Sequence, residues 1–73
     1  MNYRGRNVLI TVNGQSRSIA DGMTLSQLLD DLKLPTKFFA VEVNLQVAPR
    51  SEHAQRRLSD GDRLEIVTLV GGG

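Results

Sequence analysis

The 73 residues suffice for one domain, with no room for a second core or for the walls of a deep catalytic cleft. A hydrophobic share of 40% lets such a chain condense, while 9 Lys and Arg against 8 Asp and Glu leave a net charge of +1, too weak a field to hold nucleic acid or an anionic membrane. The absence of cysteine excludes disulfides, thiol catalysis and thiolate metal sites, and it points to a reducing compartment, the cytoplasm by default.

Residues 1–6 are polar, carry Arg4 and Arg6, and precede no apolar run of signal-peptide or membrane-spanning length, so they read as a loose leader. Val8, Ile10 and Val12 then alternate with Leu9 and Thr11, which predicts a strand running into Asn13-Gly14. That dipeptide tolerates the positive φ angles of a two-residue type I′ turn, so residues 15–19 should return antiparallel. Asp21-Gly22 marks the next turn. Thr24 and Gln27 form a capping box ahead of Leu25, Leu28, Leu29 and Leu32, which share one helical face, and Pro35 prevents the helix from continuing past about Lys33.

Phe39, Val41 and Val43 alternate with Ala40 and Glu42 as a third strand, and residues 45–48 form a shorter fourth segment ended by Pro49. Residues 50–59 are polar and poorly periodic, which predicts a surface loop. Asp60-Gly61-Asp62 supplies a turn before residues 63–70, where Leu64, Ile66, Thr68 and Val70 should face inward and Arg63 and Glu65 outward. The fold class is therefore α+β: a mixed sheet of four or five strands over one helix, with the last strand parallel to the first. The expected organisation is a leader at 1–6, a domain at 7–70 and a glycine tail at 71–73.

No constellation for catalysis is visible. His53 is the single histidine and is expected on the surface loop, solvated rather than catalytic; no base, nucleophile or metal-ligand set accompanies it. Asp60-Gly61-Asp62 offers too few oxygens at calcium spacing and is a turn, and Asp30-Asp31 is a solvated helix face. Arg50, Arg56, Arg57 and Arg63 could gather into a basic patch, although most such clusters are solvated surface. The feature with more chemistry than the fold requires is Gly71-Gly72-Gly73. Three extended residues without side chains reach about 10 Å, enough to thread a narrow channel and present a carboxylate to another protein's catalytic site. Ionised, that carboxylate is a poor electrophile and needs activation, commonly by ATP. Val67 and Leu69 alternate with the inward set just ahead of it; they either form an apolar docking spot or pack under a neighbouring segment.

The segments Val12-Asn13-Gly14, Ala40-Val41-Glu42-Val43-Asn44, Val47-Ala48-Pro49-Arg50 and the run from Asp60-Gly61-Asp62 through Leu64-Glu65-Ile66-Val67 to Val70-Gly71-Gly72-Gly73 together resemble the ThiS sulfur carriers of thiamine biosynthesis, a ubiquitin-like β-grasp family. The resemblance spans residues 8–73. It implies a non-enzymatic cosubstrate with no bound cofactor or metal. An E1-like adenylyltransferase would consume ATP to activate the Gly73 carboxylate, a cysteine-desulfurase route would supply the sulfur, and thiazole synthase would receive it. Gly72 and Gly73 carry over as the family's terminal pair, with Gly71 as a compatible third residue; the leader at 1–6 departs from the family's shorter start. The molybdopterin synthase small subunit shares the fold and a diglycine end, but this chain lacks the longer, proline-bearing approach to the tail. A non-catalytic binding module of the TGS type is the alternative from another class.

Overall fold

The computed structural model describes residues 6–69. Residues 1–5 of the expected leader, Val70 and the glycine run at 71–73 lie outside the described residues.

Strand β1 (Asn7–Val12) and strand β2 (Gln15–Ala20) pair antiparallel, with Val12 opposite Gln15 across the Asn13-Gly14 turn. Asn13 and Gly14 have φ values of 50° and 85°, the pair of positive angles a type I′ turn demands and this dipeptide tolerates. Helix α1 (Leu25–Leu32) begins at the capping box: Thr24 Oγ1 accepts from the Gln27 amide at 3.2 Å, and the Gln27 side chain accepts from the Thr24 amide at 3.0 Å. It ends at Lys33, whose φ of 53° is left-handed, two residues before Pro35.

Strands β3 (Phe39–Val43) and β4 (Gln46–Val47) form a second antiparallel hairpin, and β5 (Arg63–Thr68) closes the sheet in the order β2-β1-β5-β3-β4. As expected, β5 runs parallel to β1, with Thr11 opposite Arg63; it runs antiparallel to β3, with Val41 opposite Ile66. The sheet is mixed because β1 and β5 are central neighbours reached by a long crossover through α1. Ile10, Leu25, Leu28, Val41, Val43 and Leu64 are almost fully buried between helix and sheet. Ile19, Leu29, Ala48, Leu58 and Ile66 complete this core.

Three expectations change. The fourth strand is shorter than residues 45–48, because Asn44 and Leu45, with φ of 52° and 71°, form the hairpin turn themselves. Thr68 is exposed although it lies on the helix-side phase of β5, since it stands at the end of the sheet opposite the partly buried Phe39. The segment 50–59 is not a solvated loop: it opens with a 3-10 turn at Arg50–Glu52 and buries Leu58 in the core. His53 is only 9% exposed, and its Nε2 donates to the Ala48 carbonyl at 2.8 Å. Its own carbonyl accepts from the Ser26 amide at 2.9 Å, tying this segment to the start of α1. A polar composition concealed a segment that packs by two buried side chains and backbone hydrogen bonds.

Candidate functional site

The feature to locate is the end of β5, from which the chain continues toward the glycines. Alternation decides which side chains it offers. Leu64 and Ile66 point into the core, so Arg63, Glu65 and Val67 point to the face of the sheet that the helix does not cover. Val67 stands opposite Ala40 of β3, and the Leu69 amide donates to the Phe38 carbonyl at 2.7 Å, which extends the pairing one step past the strand. Val67 and Leu69 are 56% and 51% exposed, Phe38 is 66% exposed, and Ala40 is also at the surface. No segment among the described residues covers Val67 and Leu69, so the packing alternative for them is not realised there. Val47, which faces the same side opposite Glu42, widens this apolar area on the β4 side. Gly71, Gly72 and Gly73, the other residues expected at the site, lie outside the described residues.

Of the four arginines weighed as a basic patch, two make defined contacts of their own. The Arg50 guanidinium stacks over the Phe39 ring at 4.7 Å and donates to the Lys37 carbonyl. Arg57 donates to the Gly22 carbonyl at 3.2 Å, pinning the turn before α1. Asp60-Gly61-Asp62 is the turn it was expected to be, with Gly61 at φ 88°. Each of its carboxylates accepts from a backbone amide: Asp60 Oδ1 from Leu9 and Asp62 Oδ2 from Ser59, both at 2.8 Å. Among the described residues no group of His, Asp and Glu is placed to hold a metal ion. No described helix is long and apolar enough to cross a membrane.

Sequence reasoning missed one part of the site. Asn13, which serves the hairpin through its backbone, also grips β5 through its side chain: Oδ1 accepts from the Ile66 amide at 2.7 Å and Nδ2 donates to the Ile66 carbonyl at 3.2 Å. Asn44 braces the far end of β5, away from the site, accepting from the Arg63 amide at 2.9 Å and donating to the Asp62 side chain at Oδ1, 3.0 Å away. The only sequence signal was an asparagine at the end of each of two strands.

Comparison with known proteins agrees with this architecture. The model of the ThiS family matches residues 10–73. The chain is 33% identical over 64 residues to the sulfur carrier protein ThiS of Escherichia coli, covering 88% of this chain and 97% of that protein. It is 42% identical over 64 residues to a thiazole synthase of Paramagnetospirillum magneticum; this covers 88% of the chain but only 20% of that longer relative. The crystal structure of the thiamine biosynthesis protein ThiS from Geobacter metallireducens superposes with a TM-score of 0.79 at 30% identity, over 90% of this chain and all of that one. With the mixed five-stranded sheet, the single helix and a family match from the first strand to the final glycine, this chain belongs to the ThiS family of ubiquitin-like, β-grasp sulfur carriers.

Proposed function

We propose that the chain acts in the cytoplasm as the sulfur carrier of thiazole formation in thiamine biosynthesis, with Gly73 as the terminal residue of the acting protein. It serves as a cosubstrate. The Gly73 carboxylate attacks ATP bound in an E1-like adenylyltransferase, pyrophosphate leaves, and the acyl adenylate that forms is the electrophile the free carboxylate is not. The outer sulfur of a persulfide supplied through a cysteine desulfurase then displaces AMP to form an acyl disulfide, and a thiol reductant cleaves its S–S bond to release the thiocarboxylate that thiazole synthase consumes. Gly71 and Gly72 supply a narrow approach, since residues without side chains pass a channel that others block.

The observation that carries this reading is the pair of exposed apolar residues Val67, near the end of β5, and Leu69, just past it and two residues ahead of Gly71, in a chain of this family. A partner that docks there holds the run 71–73 within reach of its own catalytic site. The relative that is a thiazole synthase and contains a stretch similar to this chain favours that enzyme as the acceptor.

Incubation with an E1-like adenylyltransferase, ATP and a sulfide source, followed by intact-mass measurement, is expected to show one oxygen replaced by sulfur at the C-terminus. Removal of Gly72 and Gly73 should abolish the exchange and leave the fold intact. An unchanged mass with an adenylyltransferase competent on another carrier would rule the reading out. Partner function that survives the deletion would instead favour a binding module of the TGS type.

A further inference from the structure

Strand β5 has a partner on both sides along only part of its length. On the β3 side, pairing continues through Phe39 opposite Thr68 to the Leu69 amide. On the β1 side, the ladder stops early, because β1 ends at Val12 and turns away at Asn13. The regular bonds there are Thr11 amide to Asp62 carbonyl at 3.0 Å and Asn13 amide to Leu64 carbonyl at 2.9 Å. In a parallel ladder the next bond runs from the Ile66 amide to the carbonyl of Asn13. The left-handed backbone at Asn13, φ 50°, commits the main chain to the turn, and the side chain stands in: Oδ1 takes the Ile66 amide at 2.7 Å and Nδ2 gives to the Ile66 carbonyl. The amide of Asn13 thus acts as one further peptide of β1, adding a last rung one residue before Val67.

We propose that Asn13 is a positioning residue for sulfur loading: its side chain holds the exit end of β5 in the plane of the sheet, so that the segment beyond Ile66 leaves the domain in one direction. This rests on the carrier reading above. Without the rung, β5 beyond Leu64 is held on the β3 side alone, and the carboxylate samples the partner's catalytic site less often after docking. Asn44 provides an internal control, because it makes an equivalent side-chain bond to β5 at Arg63, at the strand's far end.

The test compares Asn13→Gly, which keeps the positive φ of the turn and removes only the clamp, with Asn13→Asp, which keeps the acceptor for the Ile66 amide, and with Asn44→Gly. All are assayed well below their melting temperatures for pyrophosphate release by an E1-like adenylyltransferase with ATP. Asn13→Gly is expected to speed hydrogen exchange at the Ile66 amide about tenfold and to lower kcat by about fivefold to tenfold with KM little changed, since the docking side chains are untouched. Asn13→Asp should recover part of the kcat, and Asn44→Gly should stay within about twofold of wild type. Wild-type kcat in Asn13→Gly, or an equal loss in Asn44→Gly, overturns the role while leaving the carrier reading standing. A wild-type chain that an adenylyltransferase proven on another carrier fails to activate overturns both.

Discussion

Leu45 shows what a single residue tolerates for the sake of a fold. It sits at φ 71° in the β3–β4 turn, a conformation that costs a residue with a Cβ roughly 1 kcal/mol, and its side chain is exposed and gains little in return. Leu45→Gly is accordingly expected to stabilise the domain by about 0.5–1 kcal/mol, read as a rise in the urea midpoint at unchanged slope. The same residue explains why the fourth strand was over-extended: an Asn-Leu pair lacks the glycine that marks such a turn at Asn13-Gly14. His53 makes the complementary point. Its hydrogen bond to Ala48 and its burial are invisible in a stretch of polar neighbours, because both depend on where β4 and the start of α1 come to lie.

Among the elements, α1 is the most dependent on local chemistry. Eight residues are too few for a helix to persist alone in water, so it forms by burying Leu25, Leu28 and Leu29 under the sheet and by satisfying its first amides through the capping box. Thr24→Ala removes one side of that box and should cost about 1 kcal/mol, measurable by denaturation; Gln27→Ala, which removes the reciprocal and more exposed contact, should cost less. The central strand β5 depends instead on its neighbours. It carries Glu65 directly opposite Glu42 of β3, a like-charge pair that a local optimum would avoid, and two asparagines from separate turns hold it.

At the scale of the molecule the two faces of the sheet divide the labour. One is consumed by the core under α1. The other is uncovered among the described residues, and Phe38, Val67 and Leu69 lie on it at the end where the chain continues toward Gly71-Gly72-Gly73. If that area receives the partner, replacing Val67 and Leu69 together by Ser should shift stability by no more than about 1 kcal/mol, because both are half exposed. The same change should raise KM for the adenylyltransferase about tenfold, the effect of losing about 1.4 kcal/mol of docking. An unchanged KM would place the docking surface elsewhere.

Strand alternation, the Asn13-Gly14 turn, the capping box and the glycine run act over a few residues, so the sequence alone determined the order of strands and helix and a mixed sheet over one helix, and its motifs carried the resemblance that implied the β-grasp class. The burial of His53, the separate engagements of Arg50 and Arg57, and the exposure of Val67 and Leu69 were decided only when distant segments met. The clamp of Asn13 on Ile66 joins residues 53 positions apart. No local pattern encodes such a bond, because its partner is chosen by the parallel pairing of β1 with β5, which exists only once the crossover through α1 has brought the two strands together.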